Sequence, residues 1–231
     1  GIVGAGTPLA TDIAMAAQQL PCGRVTVVSF GDGATSIGSV HEAMNLAALW
    51  RLPLVFLCHN NLFGEGTPVA EYTRTARLSD RASAYGMPGV TVDGTDPVAV
   101  YEVAKEAIAR ARAGDGPTFI EAVAFRLNGH YFGDPCTYVD KAQHEAARAN
   151  EPIGKLRRRL VAAGISESEV DALDKRLTDE VDRTVHDAIA ADMPSPESLY
   201  EHVYGGRHGL GALSETKRAT PSTEAIAEKE L

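Results

Sequence analysis

The chain has 231 residues, of which 44% are hydrophobic, and its formal net charge is −9 at pH 7. This length and composition allow one large domain with a hydrophobic core. The acidic balance argues against a nucleic-acid-binding protein and against binding to an anionic membrane surface. The longest uninterrupted apolar run, Leu54 to Cys58, is far too short to cross a membrane.

The number and spacing of the cysteines indicate the cellular compartment of the protein. Cys22, Cys58 and Cys136 form neither a CxxC pair nor a Cys/His metal spacing. A sparse, odd count is typical of reduced thiols, so we predict a cytoplasmic protein. The opening GIVGAGTP has no methionine and no lead-in, and we expect the sequence to begin inside a larger domain.

Helix and strand patterns alternate along the first half of the chain. The first helix is predicted with Thr7 as its N-cap and Pro8 at the first helical position, and its alanine-rich composition predicts burial. The strand at 24–30 is apolar on both faces, as in a central strand of a parallel sheet. The remaining predicted elements are a helix from Ser39 opening on a Ser39–Glu42 capping box, a strand at 52–61, a short helix at 78–86, a strand at 89–94, a helix from Asp96 to about 113 and a strand at 116–126. This order predicts an α/β fold with a mostly parallel sheet flanked by helices.

The sequence changes character after the last of these strands. Residues 127–143 form a polar loop with glycine and proline, and two charged helices are predicted at 151–163 and 166–192. The second helix opens on a capping box between Ser166 and Glu169. The predicted domains are an α/β domain at 1–145, a helical extension at 146–204 and a flexible tail at 205–231.

Two successive strands end in residues that suit a metal-bound phosphate. The first runs into Gly31-Asp32-Gly33, and the second ends in Asn60-Asn61. Ligands of a parallel sheet bind beyond the carboxyl ends of its strands. Glycines let backbone N–H groups approach a phosphate, but an acid beside it requires a cation between the two. Mg²⁺ takes oxygen ligands and shares substrate phosphates, so the pattern predicts a site for Mg²⁺ and a phosphate.

Each half of this pattern is common in ordinary turns, and the prediction depends on their pairing at strand–helix–strand spacing. A dinucleotide-binding fingerprint is the alternative, but Gly31-x-Gly33 matches it only in part, and no acid closes the next strand. On the loop that follows, Tyr72, Arg74 and Arg77 are expected to face solvent, and contact with a partner or carrier protein is the alternative.

The stretch GDGATSIGSVHEAMNLAALWRLPLVFLCHNN resembles the thiamine-diphosphate motif, in which GDG is followed by NN after a strand–helix–strand interval. More closely, the chain resembles the alpha subunit of the first, decarboxylating component of 2-oxo acid dehydrogenase complexes. That group includes pyruvate, branched-chain 2-oxo acid and acetoin dehydrogenases. GIVGAGTPLA, DRASAYGMPGVTVDGTD, ARAGDGPTFIEAVAFR and GHYFGDP agree with it in order, and the resemblance covers about residues 1–204.

The resemblance implies the thiamine-diphosphate-binding fold, with thiamine diphosphate and Mg²⁺ as cofactors. It also implies a role for each matching position. These positions are Asp32, the Asn61 side chain and the Phe63 carbonyl on Mg²⁺; the backbone of Gly33 and Ala34 at the diphosphate; the backbone of Gly1 and Val3 at the aminopyrimidine; and His130 beside the cofactor and bound substrate.

The loop at 127–143 carries the implied catalytic residue, His130, and Asp134 matches an acid that helps to order it. Two positions depart from the family. Tyr131 replaces a serine that is phosphorylated in regulated relatives, which argues against kinase control. Val139 replaces an arginine, so the loop loses a cation that could affect its ordering or the choice of substrate.

The function implied is decarboxylation or C–C cleavage, with acyl transfer to a lipoyl carrier. A beta subunit would complete the site in a heterotetramer of two alpha and two beta chains, with a lipoyl-bearing acyltransferase as a further partner and a 2-oxo acid or acetoin as substrate. Family members carry a long segment before the position of Gly1. We therefore expect that this segment is on another chain, that the sequence is a fragment, or that the chain is a degenerate paralogue. Two alternatives stay open: a non-catalytic assembly subunit of the same fold, and another split thiamine-diphosphate enzyme, transketolase-like or sulfopyruvate-decarboxylase-like.

Overall fold

The computed structural model describes residues 2–20 and 23–200. The strands are β1 Thr26–Gly31, β2 Leu54–Asn60, β3 Phe63–Gly64, β4 Thr67–Pro68, β5 Gly89–Asp93 and β6 Thr118–Val123. The helices are α1 Gly6–Gln19, α2 Gly38–Leu49, α3 Val69–Tyr72, α4 Pro97–Arg112, α5 Lys141–Ala149, α6 Pro152–Ala162 and α7 Glu167–Ala190. Three further segments are 3₁₀ helices: Asp32–Ser36, Leu78–Tyr85 and Pro196–Tyr200.

Four of the strands form one parallel sheet in the order β1-β2-β6-β5, and β3 and β4 form a small antiparallel hairpin. One core cluster joins α1, α2 and the Leu78–Tyr85 segment to one face of the sheet. A second cluster joins α4 to the opposite face. The predicted α/β fold, a parallel sheet flanked by helices, is confirmed.

The register of the sheet sets where its strands end. Gly31 at the end of β1 pairs with His59 of β2, and Asn60 pairs with Val123 of β6. Because all four strands run in the same direction, the Gly-Asp-Gly turn and the Asn-Asn turn leave the sheet on the side where the strands end. We call this side the carboxyl edge of the sheet. The sheet itself therefore brings the two polar sequences to the same end of the molecule.

The predicted central position of the first strand is wrong. β1 lies at the edge of the sheet among the described strands, and the side chain of Val27 is 50% exposed. Helix α1, predicted to be buried, packs only one face, since Leu9 and Ile13 are exposed. An apolar pattern shows what an element is able to bury, and it does not identify the neighbours that cover it.

Two of the predicted helix starts are wrong, and two are confirmed. Helix α1 begins at Gly6, before Thr7, whose hydroxyl donates to the carbonyl of Gly4 at 2.8 Å. Helix α2 follows Ile37 without a side-chain cap, so the Ser39–Glu42 box does not form. Asp96 does cap α4, accepting from the N–H groups of Val98 and Ala99 at 2.9 and 3.2 Å. At α7, the Ser166 and Glu169 side chains satisfy each other's backbone N–H groups.

Helix α5 was not predicted, although the sequence carries a signal for it. Asp140 accepts from the N–H of Gln143 at 2.9 Å, the first half of a capping pattern at the usual spacing. Helix α6 is tied to the turn after β5, because Lys155 Nζ lies 2.8 Å from the Thr95 hydroxyl and 3.2 Å from an Asp93 carboxylate oxygen. These contacts attach α6 to the carboxyl edge of the sheet.

The chain divides into two compact units, Gly1–Val170 and Asp171–Leu231. The first contains the sheet, α5 and α6, and the second contains most of α7. The predicted flexible tail at 205–231 lies outside the described residues. Within the part of the chain that the structure describes, no helix is both long and apolar enough to span a membrane.

Candidate functional site at the carboxyl edge of the sheet

Asp32 is the most unusual side chain at this edge. It follows β1 directly and is only 1% exposed, yet no ion pair within residues 2–20 and 23–200 involves it. Its Oδ2 accepts a short hydrogen bond from the Tyr72 hydroxyl. A buried carboxylate is costly unless a cation or several donors compensate it. Asp32 therefore has the environment of a residue that binds a cation.

The second turn is built by the asparagines that end β2. Asn60 Oδ1 accepts from the N–H of Leu62, and Asn61 Oδ1 accepts from the N–H of Phe63, both at 3.0 Å. Leu62 sits at φ +73°, a left-handed conformation that such bonds stabilise. The Asn60 amide also donates to Glu121 at 2.7 Å, so both of its polar ends are occupied. Each amide oxygen keeps a second lone pair, but Asn60 is buried whereas Asn61 is only half-buried, so Asn61 is the better candidate ligand.

The two turns lie against each other. β3 contacts the Asp32–Ser36 segment, and a Cβ placed on Gly33 would lie 3.5 Å from the Cα of Gly64. Open space surrounds the Cβ position of Gly31. The structure thus groups the turn that holds Asp32, Gly33 and Ala34 with the turn that holds Asn61 and Phe63.

Val3 is 61% exposed, and its neighbour Gly4 packs on the start of α2. A Cβ on Gly4 would meet Ile37 and Val40 at 3.1 to 3.2 Å, and Gly4 has φ +81°. The segment that carries Val3 therefore lies beside the residues that follow the Asp32–Ser36 turn. Gly1 lies outside the described residues.

His130 is exposed on the loop that follows β6. Its backbone N–H donates to Asp134 Oδ2 at 2.8 Å, and Asp134 also accepts from Tyr138 Oη at 2.6 Å and from the Cys136 N–H at 2.9 Å. The hydrogen bond from Tyr138 is the main reason that the pKa of Asp134 lies below its ordinary value. Asp134 organises the loop, as the resemblance implies.

Arg126 supplies a cation to this loop although Val139 does not. Its guanidinium donates to Tyr138 Oη at 2.6 Å and to the Glu65 carbonyl at 2.5 Å, and it lies over the ring of Phe63 at 5.5 Å. Arg126 thus joins the His130 loop to the β3–β4 hairpin that contacts Asp32's turn. The departure at Val139 does not leave the loop without a positive charge.

Sequence reasoning missed two residues at the site. Tyr72, expected to face solvent, donates to Asp32, and burial followed by that hydrogen bond raises its pKa above the ordinary tyrosine value. Arg81 donates to the Thr35 carbonyl at 2.5 Å and to the Thr73 hydroxyl at 2.7 Å, closing the loop against the Asp32 turn. The contacts with Asp32 and Thr35 join residues 40 and 46 positions apart in sequence, so no local pattern could reveal them.

The ligand types at this edge favour a hard cation. Among the described residues, no three His, Cys, Asp or Glu side chains are grouped to bind a metal. The predicted set combines the carboxylate of Asp32, the amide oxygen of Asn61 and the main-chain carbonyl of Phe63. All three are oxygen ligands, as Mg²⁺ prefers, whereas zinc sites use histidine and cysteine.

The fold and this edge define a parallel α/β protein with its candidate ligand site at the carboxyl ends of the strands. The chain belongs to the family of the dehydrogenase E1 component, whose family model matches residues 1–197.

Three relatives illustrate the range of that family. The chain is 41% identical to the alpha subunit of acetoin:2,6-dichlorophenolindophenol oxidoreductase from Cupriavidus necator, over 88% of this chain and 62% of the relative. It is 41% identical to the alpha subunit of 3-methyl-2-oxobutanoate dehydrogenase from Mycobacterium tuberculosis, over 94% and 60%. It is 34% identical to the alpha subunit of the pyruvate dehydrogenase E1 component from Zymomonas mobilis, over 90% and 59%. The chain therefore spans about three fifths of the length of these relatives.

Proposed function

We propose that this chain is the diphosphate-binding half of a thiamine-diphosphate-dependent dehydrogenase, active as an alpha subunit. The observation that carries the proposal is Asp32, a buried carboxylate with no cation partner among the described residues. It lies where the Asn61 turn meets the Gly-Asp-Gly turn. A Mg²⁺ ion bound by Asp32 would compensate this charge.

The residues present fit this cofactor. Asp32, the Asn61 amide oxygen and the Phe63 carbonyl would hold the metal. Gly33 and Ala34 would donate backbone N–H groups to the diphosphate, since the Asp32–Ser36 segment starts without a side-chain cap. Val3, and Gly1 before it, would contact the aminopyrimidine end through backbone atoms.

When bound, thiamine diphosphate supplies a nucleophilic carbon and then accepts the electrons released as the substrate's C–C bond breaks. The work of this chain is to bind and orient. We assign to His130 the position beside the reacting substrate, where an imidazole is able to donate or accept a proton. Asp134 and Arg126 hold the loop that presents it.

Partner and substrate are part of the same proposal. The relatives are named as alpha subunits, which supports a beta subunit as the partner that completes the site. We propose a heterotetramer of the two kinds of chain, and a lipoyl-bearing acyltransferase as the protein that accepts the acyl group. The substrates proposed are a 2-oxo acid or acetoin. A non-catalytic assembly subunit would share the fold, but it would have no use for a buried, cation-free Asp32 at a strand end.

Reconstitution tests the proposal. With Mg²⁺, thiamine diphosphate and an artificial electron acceptor, we expect the chain alone to turn over none of pyruvate, branched-chain 2-oxo acids and acetoin. Adding a beta subunit of the matching class should produce turnover of one of them. Turnover by the isolated chain would contradict a shared site, whereas cofactor binding without turnover beside any beta subunit would favour the assembly role.

A further inference from the structure

A second buried carboxylate, that of Glu121, lies beside the site and is not among its candidate metal or diphosphate ligands. Glu121 lies in the middle of β6 and is 2% exposed. Its carboxylate accepts three hydrogen bonds: Oε1 from the Asn60 amide at 2.7 Å, and Oε2 from the Ser79 N–H at 3.0 Å and the Thr91 hydroxyl at 3.1 Å. The described residues provide it with no cation. A carboxylate is retained in this core although an apolar side chain would cost less to bury.

The contact with Asn60 links Glu121 to the metal-binding turn. Because the Asn60 amide group donates to Glu121, its oxygen must face the other way, and there it accepts from the N–H of Leu62 at 3.0 Å. Leu62 is the left-handed residue of the turn, between Asn61 and Phe63. We propose that Glu121 is a positioning residue, which fixes the orientation of the Asn60 amide and through it the turn that presents Asn61 and Phe63.

A second connection runs from Glu121 to the other turn. The Ser79 N–H that donates to Glu121 belongs to the Leu78–Tyr85 segment, and two residues later Arg81 donates to the Thr35 carbonyl behind Asp32. Glu121, which pairs with Cys58 in the sheet register, also contributes, after burial and Asp32, to raising the pKa of the Cys58 thiol. Glu121 thus accepts hydrogen bonds from Asn60, which holds the Asn61 turn, and from the segment whose Arg81 holds the Asp32 turn.

Exchanging the amide and carboxylate groups of Asn60 and Glu121 tests the proposal, because an amide has a donor and an acceptor whereas a carboxylate only accepts. In Glu121→Gln, the oxygen of the new amide stays with the Ser79 N–H and the Thr91 hydroxyl, because the main-chain N–H cannot reverse. Its NH₂ group then faces the NH₂ group of Asn60. Asn60 has to turn over, which places a donor against the N–H of Leu62 and disturbs the turn.

The double variant Glu121→Gln with Asn60→Asp restores every pair. A carboxylate at position 60 accepts from the new amide with one oxygen and from Leu62 with the other. Asn60→Asp alone places two carboxylates in contact and should be as damaging as Glu121→Gln. Thr91→Val is the matched control, because it removes one donor to Glu121 and leaves the link to Asn60 intact.

Two measurements on the full chain separate this proposal from the proposed function on which it rests. Calorimetric titration with Mg²⁺–thiamine diphosphate measures the site, and the ¹H–¹⁵N chemical shift of the Leu62 amide measures the turn without any cofactor. We expect Glu121→Gln to weaken binding by about 10- to 100-fold, as changes to the partners of metal ligands do, and to shift the Leu62 amide. The double variant should return both readouts toward wild type, and Thr91→Val should change neither.

The proposal would be overturned if Glu121→Gln changed neither the cofactor affinity nor the Leu62 amide shift. It would also be overturned if the double variant were no closer to wild type in these two readouts than Glu121→Gln. If the wild-type chain does not bind the cofactor, the proposed function fails, and the Leu62 shifts still decide the role of Glu121. If Glu121→Gln does not fold, Asn60→Asp breaks the same link by placing a carboxylate against Glu121, and it keeps an oxygen to accept from the N–H of Leu62. Wild-type affinity and an unmoved Leu62 amide in that variant would equally overturn the positioning role.

Discussion

At the scale of single residues, the site is defined by how Asp32 is compensated. The carboxylate is buried, and the one hydrogen bond described to its side chain comes from Tyr72. The ring of Tyr72 also packs on Gly64, where a Cβ would meet it at 3.2 Å. Tyr72 therefore donates to an oxygen of Asp32 while its ring fills the space beside the β3–β4 hairpin. Both contacts stabilise the metal-free protein.

Replacing Tyr72 by phenylalanine tests this role. Loss of the hydroxyl leaves a buried carboxylate oxygen without its donor, so we expect the metal-free chain to lose about 1 to 3 kcal/mol of unfolding free energy. A bound metal would compensate Asp32 in both proteins, so Mg²⁺–thiamine diphosphate should raise the Tm of the variant more than that of wild type. Thermal unfolding with and without the cofactor measures the difference. Equal losses in both states would show that Tyr72 does not compete with the metal.

The sequence carries part of this residue-level account. Asp32 and Asn61 were chosen as candidates because a strand end, a glycine pair and an amide at the next strand end are local signals. Tyr72, Arg81 and Glu121 were not, because each acts across contacts of 40 or more residues in sequence, such as the 61 residues between Asn60 and Glu121. Only the tertiary fold brings such partners together.

At the scale of elements, strand ends matter more than helix starts. The four strands of the parallel sheet lie close to their predicted positions, since continuous apolar runs bounded by glycine and proline leave few alternatives, whereas the short strands β3 and β4 were not predicted. Helix starts proved less certain. Ser39 and Asp96 both have the residue type and spacing of a cap, yet only Asp96 forms one. A cap requires an extended residue at the right place, and at α2 Ile37 takes that place.

Alanine at the two positions should separate a real cap from an apparent one. Asp96→Ala removes the acceptor of the Val98 and Ala99 N–H groups, and we expect it to lower the unfolding free energy by about 1 kcal/mol. Ser39→Ala changes no cap and should alter stability by well under half of that amount. Urea unfolding of the two variants measures both values. Similar losses in the two would mean that α2 starts at Ser39 after all.

At the scale of the whole molecule, the fold brings two distant sequences to one edge of a sheet. Parallel strands require this, so the α/β class followed from the order of elements, and so did the grouping of the two candidate turns. The edge position of β1 did not follow. The apolar pattern of β1 is that of a covered strand, whereas Val27 is half exposed here. The chain spans about three fifths of its relatives' length, and what covers a strand is a property of the complete assembly.

The central claim is that Asp32 holds Mg²⁺ against the diphosphate of thiamine diphosphate. Calorimetric titration of the chain with thiamine diphosphate, in Mg²⁺ and again in EDTA, tests it most directly, using wild type, Asp32→Asn and the matched control Asp12→Asn. Asp12 is exposed on α1, so its variant makes the same charge change away from the site.

We expect wild type and Asp12→Asn to bind thiamine diphosphate only in Mg²⁺, because without the ion the buried carboxylate repels the diphosphate. Asp32→Asn should lose the dependence on Mg²⁺ together with most of the affinity. Unchanged Mg²⁺-dependent binding by Asp32→Asn would contradict the account.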